Sequence, residues 1–216
     1  MKNIKDIVTY LNTFSNYKLS NLSDDGRVNS QISEDSLVKR ITDNLSTINY
    51  INVEGKTKNR EDSDLTFNIK DADSIIYSEW ADIKIVEPSN FTNTVSFIKL
   101  SKMLNLKGSS YEPVIKSYTK KESEGDIKLI KDYSILFFNK STMKFFHCYL
   151  SEMPDGDVTT NPSNCIQTKL PNGLVTRTEE EKFYFINSLW KKFIHKRIVS
   201  LSELCKPINF SDSDKS

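Results

Sequence analysis

Cysteine and histidine are scarce in this chain of 216 residues, which has three cysteines and two histidines. The cysteines are too few and too scattered for a disulfide framework, and neither residue type occurs at the spacing of a zinc site. No Ser/His/Asp or Cys/His arrangement is indicated by a motif. We therefore expect a protein of a reducing, cytoplasmic compartment.

The chain also lacks a strong charge of either sign and a long apolar run. A net charge of +1 argues against a protein that coats nucleic acid. No apolar run approaches the roughly 20 residues of a membrane helix, and the first residues lack the apolar centre of a signal peptide, so we expect no membrane partner. A hydrophobic fraction of 37% with twelve phenylalanines indicates a folded chain, and its length fits a single domain, 1–216.

Apolar periodicity predicts helices beside a set of strands, hence an α/β class with a central mixed sheet flanked by helices. The expected helices are 2–12, a helix capped by Ser33 that reaches Leu45, 95–104 (with a strand as the alternative), and a last helix that begins at a capping box, Thr178 to Glu181. The expected strands are 50–53, 64–69, 74–86, 111–118, and a hairpin of 134–138 with 144–150. Residues 152–175 are predicted as a long, mostly irregular loop that contains one short strand, 165–170.

The most informative stretch is Asp82-Ile83-Lys84, inside the apolar run from Ile75 to Val86. The run predicts a strand, and residues two apart on a strand point to the same face, which we expect solvent to reach. Asp64 opens the short strand before it. Two carboxylates on neighbouring strands can share a hard divalent cation, which prefers oxygen ligands. The lysine beside them can orient an attacking water, so the layout predicts a metal-dependent nuclease.

The triplet is not specific by itself, because about two Asp-x-Lys triplets are expected by chance in a chain of this composition. The second one, Asp126-Ile127-Lys128, follows a polar run that is typical of a turn, and no strand headed by an acid precedes it. We interpret it as a coincidence. Asp62 is a rival to Asp64 as a ligand, but the apolar alternation begins immediately after Asp64, which is therefore preferred.

With these residues in place, the chain resembles the PD-(D/E)xK superfamily of nucleases, and within it the type II restriction endonucleases of the EcoRV, HincII and SwaI kind. Three further stretches carry the resemblance: Gly-Arg-Val-Asn-Ser-Gln-Ile-Ser-Glu at 26–34, Lys-Thr-Lys-Asn at 56–59, and Thr-Arg-Thr-Glu-Glu-Glu at 176–181. The matches occur in order over most of the chain. The chain departs from the family pattern in lacking a proline before Asp64.

The resemblance implies a restriction-endonuclease-like fold, Mg2+ as cofactor, and a homodimer that cuts double-stranded DNA at a short palindrome. It assigns Asp64 and Asp82 to the metal and Lys84 to catalysis, within a catalytic core region at 26–110. Glu34 matches an occasional extra acid near the metal. An acid in the first turn of a helix is equally expected there, because the helix dipole favours it.

Contacts with DNA are expected from two other regions. Lys56 and Lys58 are predicted to contact phosphates, which position a duplex without reading it. Base reading is assigned to 152–177, ahead of the C-terminal helix at 178–204, and an ordinary polar loop is the alternative. The side chains of this region predicted to contact DNA, by pairing with base edges in the major groove, are Asn164, Gln167 and Lys169.

Two other functions stay open. The same fold serves nucleases of repair, recombination or phage, which read DNA structure or ends and cut without a fixed sequence. The chain also fits a non-catalytic DNA-binding or assembly protein whose acids are ordinary surface groups. That protein would show no metal-dependent cleavage.

Overall fold

Two β-sheets and the helices that cover them form the fold. The computed structural model describes residues 1–15, 17, 19, 26–55, 64–161 and 165–205, with the backbone alone for 26–31 and 203–205. The helices are α1 (Ile4–Leu11), α2 (Gly26–Leu45), α3 (Phe97–Met103), α4 (Tyr111–Glu124) and α5 (Glu179–Cys205). The strands are β1 (Ile51–Gly55), β2 (Leu65–Asp71), β3 (Ser74–Val86), β4 (Thr92–Ser96), β5 (Ser134–Asn139), β6 (Lys144–Tyr149), β7 (Val158–Asn161) and β8 (Cys165–Thr168).

The larger sheet is mixed, with five strands in the order β1-β2-β3-β5-β6. Its first three strands form an antiparallel meander, β5 lies parallel to β3, and β6 returns antiparallel to β5. A parallel neighbour requires a long crossover, and the crossover from β3 to β5 contains β4, α3 and α4. The predicted α/β class, with a central mixed sheet flanked by helices, is therefore confirmed.

Helices cover both faces of the larger sheet because its strands turn apolar side chains to both sides. On one face, residues of α1 and α2 join Phe67, Ile83 and Phe138 in a buried cluster. On the other, α3, α4 and α5 pack against β5, and the rings of Phe97 and Trp190 stack with centroids 5.1 Å apart. Burial of one such side chain contributes about 2–3 kcal/mol, so apolar burial holds both layers to the sheet.

A second sheet, with the strand order β4-β8-β7, contains the short strand predicted within 165–170, as β8, and adds the strand β7 to the region 152–175 that was predicted to be otherwise irregular. Both strand pairs are antiparallel. Its strands have only four or five residues each and are rich in polar side chains, so their alternation is too short to form a pattern. Val95 and Ile166 join the core on one side of this sheet. Asn93 and Gln167, which pair across β4 and β8, lie on its exposed side.

The prediction of a strand over 111–118 is wrong, because these residues form the first part of α4. Their apolar positions fit a helix, with Val114 and Tyr118 four residues apart and both buried. Pro113 is compatible with the edge or start of a strand. It lies in the first helical turn instead, where the missing N–H leaves no hydrogen bond unmade.

Two other segments near the site differ from expectation. α2 begins well before Ser33, which is buried inside the helix and does not cap it. Residues 95–104 combine both alternatives, since β4 ends at Ser96 and α3 begins at Phe97. The Ser96 hydroxyl accepts a hydrogen bond from the Lys99 N–H at 3.3 Å and so caps α3.

The strongest local patterns are confirmed. β3 has the predicted bounds, and β5 and β6 form the predicted hairpin. α5 begins with the predicted capping box, in which Thr178 N–H donates to Glu181 Oε2 at 2.8 Å and Glu181 N–H donates to Thr178 Oγ1 at 3.2 Å. Among the described residues, no helix is both long enough and apolar enough to cross a membrane.

Candidate active site

Asp64, which immediately precedes β2, lies opposite Asp82 of β3 in the antiparallel pair. Leu65 at the start of β2 pairs with Ala81, so Asp64, one residue earlier, is level with Asp82. The Asp64 carboxylate accepts a hydrogen bond from the backbone N–H of Ile83 at 2.8 Å, through Oδ2. This bond ties Asp64 to the backbone of the Asp-x-Lys triplet. The meander therefore brings the two predicted acids together.

The electrostatics of Asp64 are those of a carboxylate in a confined site. Burial raises the pKa of Asp64 above its ordinary value, and the nearby charge of Asp82 raises this pKa further. Lys84, the Ile83 N–H and Lys99 act in the opposite direction without cancelling the rise. Two carboxylates with restricted access to water are stabilised by any cation that lies between them.

Asp82 is buried, with only 2% of its side chain exposed, and this corrects the prediction that solvent reaches its strand face. The face is covered because α3 and the segment before β5 pack over it. Asp82 Oδ2 accepts hydrogen bonds from the Lys99 ammonium at 2.5 Å and from the Tyr133 hydroxyl. The other oxygen, Oδ1, is buried and has no hydrogen-bond partner in the described part of the chain. Buried polar atoms are nearly always hydrogen-bonded, so this oxygen calls for a partner such as a bound ion or water.

Lys84 lies on the same side of β3 as Asp82, as the two-residue spacing predicts. Its side chain is 13% exposed, and its Nζ lies 3.9 Å from Asp82 Oδ2. The ammonium donates a hydrogen bond to the carbonyl oxygen of Ile83 at 3.0 Å. Lys84 is thus beside the carboxylates without forming a close ion pair with either oxygen of Asp82.

Sequence reasoning missed Lys99 and Tyr133. Lys99 comes from α3 and is, among the described residues, the closest cation to Asp82; its ammonium also donates to the Tyr133 hydroxyl at 3.1 Å. Tyr133 precedes β5, and burial together with the charge of Asp82 raises the pKa of its phenol well above the ordinary value, so the phenol keeps its proton. The sequence indicates Lys99 only weakly, as a lysine between the apolar residues Ile98 and Leu100.

The other predicted residues are not gathered at this site. Glu34 lies on α2, which packs on the opposite face of the larger sheet from Asp82. Its role as an extra acid stays a prediction. Lys56, Lys58 and Asn164 fall outside the described residues, as does the rival acid Asp62.

Gln167 and Lys169 belong to the small sheet and its edge. Gln167 is on β8 and donates a hydrogen bond from Nε2 to Asn93 Oδ1 at 3.0 Å. Lys169 forms an ion pair with Asp157 at 3.0 Å, and its ammonium lies 5.6 Å from the ring centroid of Phe91. An amide pair and a lysine therefore lie next to each other on this surface, although the lysine already has a carboxylate partner.

The donor set at the main site fits a hard divalent cation. Asp64 and Asp82 supply carboxylate oxygens from two strands, and Asp82 Oδ1 lacks a hydrogen-bond partner among the described residues. Mg2+ is commonly held by one or two carboxylates and keeps several of its waters. Across the described residues, no group of three or more His, Cys, Asp and Glu side chains is close enough to hold a metal. Among the described residues, Asp64 and Asp82 are thus the two carboxylates that this site offers.

No protein-family model matches this chain, and the search of curated proteins found no match.

Proposed function

We propose that this chain is a Mg2+-dependent nuclease of the PD-(D/E)xK type, and specifically a type II restriction endonuclease that cuts double-stranded DNA at a short palindrome. The order of its elements supports the proposal: helix α2, the antiparallel meander β1-β2-β3, a helical crossover, and a strand parallel to β3. This order places the Asp-x-Lys strand in the centre of the mixed sheet, with helices on both faces.

One observation carries the proposal. Asp64 and Asp82 face each other across β2 and β3, and Lys84 follows Asp82 on the same side of the strand. A pair of carboxylates alone is common, and a lysine beside a carboxylate is more common still. The combination at one point of the sheet, together with a buried Asp82 oxygen that has no donor among the described residues, supports metal-dependent hydrolysis of a phosphodiester.

Each residue has a separate task in this proposal. Asp64 and Asp82 hold Mg2+, which when bound supplies a Lewis acid and lowers the pKa of a coordinated water. Asp64 is kept in position by the Ile83 N–H, at 2.8 Å. The Lys84 ammonium, whose Nζ lies 3.9 Å from Asp82 Oδ2, holds the attacking water and stabilises the charge that grows on the phosphate.

We assign DNA recognition to the exposed side of the small sheet. Antiparallel strands are able to enter the major groove, and an amide side chain can form two hydrogen bonds there, to N6 and N7 of adenine. Gln167 lies there beside Asn93, and its amide is held by their mutual hydrogen bond. A fixed amide loses less side-chain freedom when it binds a base. Lys56 and Lys58 are proposed to contact phosphates.

The proposed homodimer rests on the resemblance and on symmetry. Two identical active sites related by a two-fold axis match the two strands of a palindrome. Sedimentation of the full chain at micromolar concentration is expected to give a dimer.

Digestion of a plasmid of known sequence tests the proposed function. With Mg2+ we expect discrete fragments that share one sequence at their ends, and we expect EDTA to stop the reaction. The matched variants are Asp82→Asn, which removes the proposed ligand, and Asp126→Asn, which alters the second Asp-x-Lys triplet. Only Asp82→Asn should abolish cutting.

Two other outcomes would point to the rival functions. A smear of products that still requires Mg2+ and Asp82 would indicate a nuclease without a fixed sequence. Binding of DNA with no cleavage under any divalent cation would indicate a non-catalytic DNA-binding protein. That result would remove the proposal.

A further inference from the structure

Lys99 is the unexpected member of the site, because an ammonium group already takes the position where a cation would neutralise Asp82. We propose that Lys99 is a resident counter-ion of Asp82, so that a divalent cation must displace the Lys99 ammonium to bind at full strength. The inference rests on the proposed function, since it concerns the same carboxylate. It adds a residue that the Asp-x-Lys triplet does not contain.

Lys99 and Lys84 differ in how closely their ammonium groups approach Asp82. Lys99 Nζ is 2.5 Å from Asp82 Oδ2, whereas Lys84 Nζ is 3.9 Å from the same oxygen. At 2.5 Å, Lys99 forms a hydrogen-bonded ion pair with Asp82, whereas 3.9 Å is too long for Lys84 to hydrogen-bond to that oxygen. Lys84 is therefore the lysine that remains available for the phosphate, and Lys99 is the lysine that neutralises the acid.

Burial makes the competition strong. The side chain of Lys99 is only 17% exposed and that of Asp82 only 2%. Little water separates the ammonium from any ion bound at Asp82, so their mutual repulsion is weakly screened. A positive charge held beside a metal site lowers the affinity of the site for cations, even when the ammonium does not occupy a ligand position.

The site is also built to survive the departure of Lys99. The Tyr133 hydroxyl donates to Asp82 Oδ2 independently of Lys99, and the same hydroxyl accepts a hydrogen bond from Lys99 at 3.1 Å. When the ammonium moves away from Oδ2, Tyr133 still orients the carboxylate and still offers Lys99 an acceptor. Tyr133 is thus a positioning residue, and the long, flexible side chain of Lys99 is the part that moves.

Binding of Mn2+ to the full chain, without DNA, tests this division of roles. Mn2+ is a spectroscopic substitute for Mg2+, and the free ion is measured directly by electron paramagnetic resonance. We expect Lys99→Gln, which removes the charge but keeps a hydrogen-bond donor, to bind Mn2+ at least about tenfold more tightly than the unaltered chain. Lys99→Arg keeps the charge and should bind no more tightly than the unaltered chain.

Two further variants are controls for this experiment. Lys102→Gln removes the same charge from the exposed side of the same helix and should change the affinity little. Asp82→Asn should abolish the site. Circular dichroism checks that each variant is folded, and Lys99→Met replaces Lys99→Gln if the amide variant fails to fold.

The inference and the proposed function fail in different ways. If Asp82→Asn loses Mn2+ but Lys99→Gln binds it equally or more weakly, the competition is refuted and the metal site stands. If neither the unaltered chain nor the Lys99 variants bind Mn2+ better than Asp82→Asn, and plasmid is not cut, both fail together. A crystal of the unaltered chain soaked in Mn2+ gives a check that needs no variant. An ion at Asp82 with Lys99 Nζ still at hydrogen-bond distance from Oδ2 would overturn the inference.

Discussion

The tripeptide Asp-Ile-Lys occurs twice in the chain, at 82–84 inside β3 and at 126–128 after α4. In the first copy the side chains of Asp82 and Lys84 are 2% and 13% exposed. In the second, those of Asp126 and Lys128 are 48% and 70% exposed, and the two groups form an ion pair at 2.9 Å. The first copy thus has a buried acid whose lysine is held away, and the second has an exposed acid whose own lysine neutralises it.

The difference lies in what surrounds each copy. On β3, the extended backbone and the cover of α3 bring Asp64 and Lys99 to the first acid. Beyond α4, water and Lys121 surround the second, and hydrogen bonds from Lys128 and Lys121 lower the pKa of Asp126. An exposed ion pair of this kind contributes little. The same three residues therefore offer a reactive site only where a sheet and a helix confine them.

The largest expected effect is the loss of DNA cleavage when the acid of the first copy is replaced. Asp82→Asn removes a proposed metal ligand but leaves an amide oxygen that still accepts from Lys99, so the variant should fold and fail to cut DNA. Asp126→Asn should cut like the unaltered chain. Initial rates of plasmid cleavage in Mg2+ measure both. Full activity in the Asp82 variant, or its loss in the Asp126 variant alone, would mean that the roles of the two copies are reversed.

The second largest expected effect is on stability towards urea, which should differ between the two copies of the tripeptide. Asp82→Ala leaves the buried ammonium of Lys99 and the hydroxyl of Tyr133 without their acceptor, and breaking a buried pair from one side costs about 3 kcal/mol. We expect a clear fall in the urea midpoint. Asp126→Ala, which breaks an exposed pair, should lower the midpoint only slightly. Equal midpoints in the two variants would show that Asp82 contributes no buried ion pair.

The lysines give a smaller effect. Lys84→Met should reduce the rate of cleavage by about 100-fold, the loss expected when one group that stabilises the transition state is removed. The affinity for DNA should change much less. Lys128→Met is the matched variant at the exposed copy and should change neither quantity. Single-turnover rates and binding titrations measure the two effects separately, and a loss of binding alone would make Lys84 a phosphate contact.

The smallest expected effect is on the melting temperature, which should shift in opposite directions when Asp64 and Asp126 are each replaced by a neutral residue. The pKa of Asp64 is raised in the folded state, so the folded protein loses stability as the pH rises through that pKa, and it stays less stable above it. The pKa of Asp126 is lowered, so its contribution is present at neutral pH and is lost as the pH falls. In EDTA at pH 8, Asp64→Asn should raise the melting temperature, and Asp126→Asn should lower it slightly. Shifts of the same sign would contradict the assignment.

Much of the large sheet could be predicted from the sequence because its signals are local. β3 is a long apolar run, and the hairpin of β5 and β6 surrounds a polar turn. Asp64 and Asp82 could be paired because they lie on consecutive strands, whose register follows from the turn between them. The prediction of a strand at 111–118 was wrong because Pro113 fits the first turn of a helix as well as a strand edge. The spacing of Val114 and Tyr118 is the signal that favours the helix.

The rest depends on contacts between distant segments, which no local pattern encodes. β4 and β7 are short and polar, and both pair with β8, the strand of this sheet that lies within the predicted 165–170. The burial of Asp82 is of the same kind, since Lys99 and Tyr133 reach it from segments far along the chain. Spacing on a strand predicted which residues share a face, but it did not predict what covers that face.

The parallel pairing of β3 with β5 also has a consequence for the order in which the protein folds. The meander that carries Asp64 and Asp82 closes through short turns, whereas β5 docks only after the whole segment from 87 to 133 has been closed as a loop, which costs more entropy. We therefore expect Asp82 to be first a hydrated carboxylate on an open hairpin during folding, and to lose its water late, when Tyr133 arrives with β5. Substitutions at Tyr133 should accordingly speed unfolding and leave the folding rate almost unchanged.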